Sequence, residues 1–198
     1  MNEEAAQLLR QHIEEISPLT EEELTHVYSH FSIKKLRKHQ LVLHLDDPVR
    51  YEYFVVKGCL KAYTITEENK MHILQFAMPN WWITDYQGYY KETASTLYID
   101  CIEDAEVLCI TLENKDKLCR ELHKMEHFFR KKTNAGYVAL QQRILTLLKS
   151  TPKEKYEQLL SQYPLLFQKV PKQLIAAYLG VSRETLSRLY SASLPKNS

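Results

Sequence analysis

The period of apolar and polar positions changes several times along this chain, and each change marks an element boundary. From Ala5 through Leu8, Leu9, Ile13 and Ile16 the apolar residues recur at helical spacing, and Ser17-Pro18 ends the run. Thr20-Glu21-Glu22-Glu23 has the form of a capping box and opens a second short helix through Leu24, Val27 and Tyr28. From Phe31 to Thr111 the texture becomes short, β-branched and aromatic. The runs are Leu41–Leu43, Tyr51–Val56, Cys59–Ile65, His72–Phe76, Leu97–Ile102 and Glu106–Ile110. Turn signals separate them at Asp46-Asp47-Pro48, Lys57-Gly58, Glu67-Glu68-Asn69 and Glu103-Asp104. Many short strands without intervening helices predict an antiparallel barrel or jelly roll rather than a doubly wound sheet.

From about Asn114 to Ser150 the helical period returns. Leu118, Leu122, Met125 and Phe129 step by three and four, as do Leu140, Ile144 and Leu147. Lys132 and Gly136 interrupt the stripe, which predicts a short helix followed by a long one. This apolar seam packs either on the barrel or on another subunit, and the spacing leaves both open. A short helix over Lys155 to Leu160 follows Thr151-Pro152 and ends near Tyr163-Pro164. Ser191 to Ser198 are polar, contain a proline, and are expected to fray.

The stretch VPKQLIAAYLGVSRETLSRL, residues 170–189, predicts two helices around a tight turn. Gly180 can take a left-handed backbone conformation there, and Ser182 is an N-cap for a helix running from Arg183 to about Tyr190. At about 100° per residue, Arg183, Glu184, Ser187 and Arg188 fall within about 140° of one another. Leu186 and Leu189 point the other way, where Ile175, Ala176, Leu179 and Val181 can meet them. One face is therefore a small core and the other presents two guanidinium groups, a carboxylate and a hydroxyl. That is the pattern of a helix-turn-helix whose second helix enters the DNA major groove; an ordinary helical hairpin with a charged outer face is the plainer reading.

Charge distribution favours the first. The net charge of +1 conceals ten Lys/Arg against eighteen Asp/Glu in residues 1–110, and sixteen against seven in residues 111–198. A balance of −8 in front and +9 behind implies that only the back half meets a polyanion. The 198 residues, 44% hydrophobic and 26% charged, suit one sizeable core or two small domains. The apolar runs are too short to span a bilayer and the acidic start is no signal peptide, so a cytoplasmic protein is expected. Cys59, Cys101, Cys109 and Cys119 show no CxxC and no histidine at ligand spacing, and read as reduced core thiols.

Taken together, the layout resembles the Crp/Fnr family of bacterial transcription regulators. The resemblance is carried by QQRILTLL (Gln141 to Leu148), KYEQLLSQYP (Lys155 to Pro164), IAAYLGVSRETLSRL and, less closely, YFVVKGCLKAY (Tyr53 to Tyr63) around Gly58. It implies an α+β chain: an N-terminal antiparallel β-roll or jelly roll, a long dimerisation helix and a C-terminal helix-turn-helix. The corresponding domains are a cyclic-nucleotide-binding-like effector domain at 1–112, a dimerisation helix region at 113–149 and a DNA-binding domain at 150–198. A homodimer joined through Leu140, Ile144 and Leu147 is expected to bind a palindromic operator in double-stranded DNA through residues 182–190. Lys172, Ser182, Arg183, Glu184, Thr185, Ser187 and Arg188 are the expected DNA contacts. RNA polymerase and a small-molecule effector of unknown identity are further candidate partners, and no membrane is expected.

Two departures refine the expectation. Cyclic-AMP-binding members hold the ribose and cyclic phosphate with a Gly-Glu-Leu segment and a following Arg-Ser. Here those stretches are Ile83-Thr84-Asp85-Tyr86 and Ala94-Ser95-Thr96, and no arginine lies between Arg50 and Arg120. The cation for a cyclic phosphate is missing locally, so cyclic AMP dependence is not expected. Trp81, Trp82, Tyr86 and Tyr89 are instead the candidates for lining an effector pocket, or for filling a vacated one. The sequence also runs only to Ser198 beyond the recognition helix, so DNA binding is expected to rest on helices without a β-hairpin wing. The family's cysteine-rich iron–sulfur leader has no counterpart, since no cysteine precedes Cys59.

Rival classes fare less well. A metal-dependent cupin needs ligands closely spaced on neighbouring strands, but His39 and His44 stand five apart and His72 has no ligand-type neighbour within two positions. No phosphate-binding glycine loop or nucleophile elbow is present. A recombinase would need strand–helix alternation that the front half lacks. The remaining alternative is a ligand-sensing dimer that does not bind DNA.

Overall fold

The computed structural model describes residues 1–193. Two compact units divide it: Met1–Thr64 with Gln75–Ala135, and Ile65–Leu74 with the described residues from Gly136 onward.

The first unit opens with α1 (Glu3–Glu14) and α2 (Glu21–Ser29), the latter started by the complete Thr20/Glu23 capping box that the sequence announces. The strands β1 (Ser32–Leu36), β2 (Leu41–Leu43), β3 (Glu52–Lys57), β4 (Leu60–Ile65), β5 (Met71–Ala77), β6 (Trp82–Ile83), β7 (Tyr98–Cys101) and β8 (Ala105–Ile110) form two four-stranded sheets. Their orders are β1-β8-β3-β6 and β2-β7-β4-β5, and the described pairings are antiparallel. A short helix α3 (Tyr86–Lys91) lies between β6 and β7. After β8 come α4 (Leu112–Glu121) and the first part of α5 (His123–Lys149).

Alternation along β3 and β8 explains why these strands read as continuous apolar runs. Phe54, Val56, Leu108 and Ile110 face α1, α2, α4 and α5, where they pack with Leu9, Ile13, Val27, Leu118, Met125 and Phe128. Tyr53, Val55, Val107 and Cys109 face the other sheet and meet Leu60, Ala62, Ile99 and Cys101. Both faces of the sheet are covered, so hydrophobicity no longer alternates. Gly58 turns β3 into β4 at φ 93°, where an added Cβ would lie 2.4 Å from the Asp104 carbonyl oxygen. Only glycine fits that approach. Cys59, Cys101 and Cys109 are buried, and no disulfide joins any of the four cysteines.

The second unit holds the β4–β5 turn, the rest of α5, and α6 (Pro152–Gln162), α7 (Pro164–Lys169), α8 (Lys172–Leu179) and α9 (Arg183–Ser193). Among the described residues no helix is long and apolar enough to cross a membrane.

Several expectations need adjustment. The break after the roll falls at Leu122, whose extended backbone separates α4 from α5, and not at Lys132 or Gly136. Gly136 sits inside α5, where an added Cβ would meet nothing within 4 Å; an exposed helical glycine weakens the helix without ending it. Strands β1 and β6 and helices α3 and α7 were not foreseen. The last helix continues to Ser193, past its expected end near Tyr190. Of the end expected to fray, residues 194–198 lie outside the described residues.

Candidate nucleic-acid interface and sensor site

The helices α6 to α9 build the interface from the inside. Tyr156, Leu159, Leu166, Val170, Ile175, Ala176, Leu179 and Leu186 are buried and fix the arrangement of α8 and α9. Gly180 ends α8 in the left-handed region at φ 67°, and its amide and that of Val181 both donate to the Ala176 carbonyl. The chain then enters α9 through Ser182, whose Oγ accepts from the Thr185 amide at 3.1 Å and lies 3.1 Å from the Thr185 hydroxyl. Ser182 is thus the helix cap, and it engages Thr185 as well.

With Leu186 turned inward, Arg183, Glu184, Ser187 and Arg188 are all exposed and line one open, shallow depression. The Glu184 carboxyl lies below its ordinary pKa. Its own backbone amide and the Ser182 hydroxyl hydrogen-bond to it, and Arg183 and Arg188 add favourable charge. The face therefore offers donors and an ionised acceptor side by side. Lys172, at the start of α8, is exposed, with its Nζ 3.4 Å from the centre of the Tyr190 ring. The ammonium is held by the ring quadrupole while remaining open to an anion.

Arg143 on α5 is a residue that sequence reasoning passed over. Its Nη2 donates to the carbonyl oxygens of Ile73 at 2.8 Å and Tyr178 at 3.2 Å, and its guanidinium stacks 3.5 Å from the Tyr178 ring centre. One side chain thus ties α5, the strand after the β4–β5 turn and the end of α8 together within this unit. Further along α5, Leu140, Ile144 and Leu147 are 55%, 48% and 38% exposed. Tyr137 and Leu148 continue the same exposed stripe at helical spacing.

In the roll, the aromatic candidates separate. Trp82 packs in the helix-side core against Phe54 and Phe129, and its indole N–H donates to His12 Nε2 at 3.1 Å. Burial, assisted by Lys132, lowers the His12 pKa to about 4, so the imidazole is a neutral acceptor at physiological pH. Trp81 packs against the core between the sheets. Tyr89 is buried in α3 with its hydroxyl donating to the Ile110 carbonyl, and Tyr86, more exposed, stacks on Tyr90. Beside them Lys115 Nζ donates to Glu52 Oε2 at 2.6 Å and to the Tyr90 hydroxyl at 2.9 Å. Burial alone would lower the Lys115 pKa, but the Glu52 carboxylate and Tyr90 outweigh it and raise the pKa.

The stretch from Ile83 to Thr96 has its own chemistry. The buried Asp85 caps α3, with Oδ1 accepting from the amides of Gln87 at 3.0 Å and Gly88 at 3.2 Å. Its Oδ2 accepts from the Ser95 hydroxyl at 3.2 Å, the Thr96 amide at 2.6 Å and the Thr96 hydroxyl at 2.9 Å. Burial pushes the Asp85 pKa up, but the bonds from Thr96, Gly88 and Ser95 pull it down further, and the net shift is downward. Five donors around this segment are therefore occupied by a carboxylate of the chain itself. The signal in the sequence was an aspartate two residues before a glutamine and three before a glycine, an N-cap pattern hidden among aromatics.

In chain order the architecture is a β-roll, a long helix and a helical pair, α8 and α9, of helix-turn-helix form. Residues 33–122 match the cyclic nucleotide-binding domain family. Over 185 residues the chain is 25% identical to the regulatory protein HlyX of Actinobacillus pleuropneumoniae, spanning 86% of this chain and 75% of that protein. Its fold is similar to that of FixK2 from Bradyrhizobium japonicum, with a TM-score of 0.71 and 20% identity over 82% of this chain and 83% of that one. It is also similar to the catabolite activator protein of Thermus thermophilus, with a TM-score of 0.54 and 21% identity over 88% and 83% of the two chains. The chain thus matches the cyclic nucleotide-binding domain in its first part and shares the fold of FixK2 and the catabolite activator protein.

Proposed function

We propose that this protein binds a palindromic DNA operator as a homodimer, through residues 182–190, and that it does so without cyclic AMP. The observation that carries the reading is the outer face of α9, where Arg183, Glu184, Ser187 and Arg188 are exposed together while Leu186 anchors the helix from behind. Arg183 has the fork to donate to guanine O6 and N7, and Glu184 can accept from cytosine N4. Arg188, further along the face, reaches a base edge or a phosphate. Ser182 and Thr185 set the start of the helix and offer hydroxyls to phosphate, as Ser187 does one turn on. Lys172 serves phosphate alone. The division of labour is an effector domain at 1–112, a dimerisation region at 113–149 and a DNA-binding domain at 150–198, acting in the cytoplasm.

Dimerisation is supported by the exposed stripe of Leu140, Ile144 and Leu147, since a single helix-turn-helix has little contact area of its own. Two copies would present recognition helices to half-sites about 34 Å apart. Independence from cyclic AMP is supported by Asp85: a cyclic phosphate placed among the donors it occupies would meet a fixed negative charge and no local arginine. The effector, if of another chemistry, has Trp81, Trp82, Tyr86 and Tyr89 as its candidate contacts.

The test is a binding series on randomised duplexes at two salt concentrations. Arg183→Ala is expected to cost about 1–3 kcal/mol per half-site and to relax preference at one base position. Lys172→Ala is expected to weaken all sequences alike and to reduce the salt slope by about one per site. Equal, sequence-independent losses for the two variants would refute the reading role of Arg183. No binding by the unmodified protein to any duplex would leave a ligand-sensing dimer instead. Saturable micromolar binding of cyclic AMP in titration calorimetry would overturn the nucleotide-independent reading.

A further inference from the structure

Three side chains of metal-ligating type meet on the helical side of the first unit, apart from every residue given a role above. His26 on α2 and His30, which caps the end of that helix, stand four residues apart, so they share a face. Their ring centres are 4.8 Å apart at an interplanar angle of 79°. Glu121 closes α4, and its Oε2 lies 3.0 Å from His26 Nε2 and 3.7 Å from His30 Nε2. The three donor atoms all fall within 4.8 Å of one another. Ligands held about 2.1 Å from a tetrahedral zinc ion are separated by about 3.4 Å, and the two measured separations bracket that value.

The hydrogen bonds around the cluster prepare it for a cation. His30 Nδ1 lies 3.0 Å from the His26 carbonyl oxygen, which can only accept, so the proton sits on Nδ1. The Ser29 hydroxyl donates to the same carbonyl at 2.7 Å. A backbone carbonyl on the far nitrogen is the outer partner that ligating imidazoles commonly have, and it orients the ring. In the neutral ring this leaves the Nε2 lone pair of His30 facing a carboxylate oxygen. A cation between these two electron-rich atoms, whether a metal ion or a proton, turns their mutual repulsion into attraction. Asn114 of α4 donates to the His30 carbonyl at 3.2 Å, which steadies the two helices against each other. His30 is only 6% exposed, whereas His26 and Glu121 are 42% and 40% exposed and leave a path for an ion and its water.

We propose that His26, His30 and Glu121 bind one divalent transition-metal ion of the zinc class, with water completing the coordination shell. Two neutral imidazoles and one carboxylate suit zinc in charge and donor type, and exclude the all-oxygen preference of magnesium and calcium. The ion would join α2 to the end of α4, immediately before α5 begins at His123. The proposal is independent of whether α9 binds DNA.

The experiment uses the full chain, stripped with a chelator and titrated near neutral pH with Zn²⁺ by calorimetry and with Co²⁺ as an optical probe. One equivalent is expected to bind, and the cobalt form is expected to show ligand-field bands without a thiolate charge-transfer band. Glu121→Gln and His26→Ala, both at half-exposed positions that leave the core intact, should each weaken binding at least about tenfold. Cys119→Ser should leave it unchanged. Absence of a saturable equivalent, unchanged affinity in both ligand variants, or a thiolate band lost in Cys119→Ser would overturn the proposal. In the first case the cluster is held by a proton on an imidazole rather than by a metal.

Discussion

Replacing Asp85 should damage the roll out of proportion to the size of the side chain. Asp85→Ala removes the acceptor for five hydrogen bonds at once. Loss of the cap on α3 costs about 1 kcal/mol. The Ser95 hydroxyl keeps a partner in the Leu97 carbonyl, and the Thr96 hydroxyl can turn to solvent, so neither adds much. The Thr96 amide cannot turn, and a part-buried donor left without its charged acceptor costs about 1–3 kcal/mol. The expected total is about 2–4 kcal/mol. Asp85→Asn should fall between, because its amide oxygen can keep the cap while its NH₂ group faces donors.

The assay is urea denaturation read by tryptophan fluorescence, since Trp81 and Trp82 are the only tryptophans and both lie in the first unit. The pH dependence supplies a second check. The folded pKa of Asp85 lies below its ordinary value, so its contribution is complete above the unfolded pKa near 3.9 and is lost as pH falls through the folded value. The gap between the unmodified protein and Asp85→Asn should therefore be constant at neutral pH and shrink only below about pH 4. A loss under about 1 kcal/mol for Asp85→Ala, or a gap that shrinks already between pH 5 and 7, would refute the account of this carboxylate.

Lys115→Met should destabilise the first unit by about 3–5 kcal/mol, because it leaves the Glu52 carboxylate buried without its partner; urea midpoints measure it. Introducing Glu at both Ile144 and Leu147 should give monomers in light scattering with unchanged circular dichroism, since both side chains already face outward; a stable dimer would show that the contact lies elsewhere. Gly180→Val places a β-branched residue at φ 67° and should cost about 1–2 kcal/mol in the second unit. The loss is read by thermal unfolding, and a neutral effect would mean that the turn can rearrange.

The elements that were legible in the sequence are those fixed by local chemistry. Thr20 announces α2 through its capping box, and Gly180 with Ser182 announces the turn into α9, whereas the Thr151/Glu154 capping box opens α6 at Pro152, ahead of the start expected at Lys155. What escaped was decided by position in the sheets or by distant partners. β1 is an edge strand whose exposed Lys34 and Lys35 hide its alternation. β6 and α3 were masked by consecutive aromatics, although Trp81 and Trp82 pack into different cores. The helix break fell at apolar Leu122, which packs against the helix-side core and so kept the helical period while leaving the helix. At the interface, the exposed face of α9 followed from the wheel, but Arg143 acts through two carbonyls that no spacing rule brings near it. The histidines were judged only for strand-borne pairing, so His26 and His30 on one helix went unnoticed until Glu121 was brought beside them.

The buried thiols give the roll a built-in clock. Burial raises the pKa of Cys101 and Cys109 to about 11, so only about one in ten thousand is a thiolate at pH 7, against a few per cent for a free cysteine. Shielding by the sheets compounds that chemical inertness, and an alkylating reagent reaches these sulfurs only when strands part. Labelling rate, followed by mass spectrometry at increasing reagent concentration, then reports how often the two sheets breathe. Any ligand that steadies the roll would reveal itself by slowing that exchange, even if it left every spectroscopic signal unchanged.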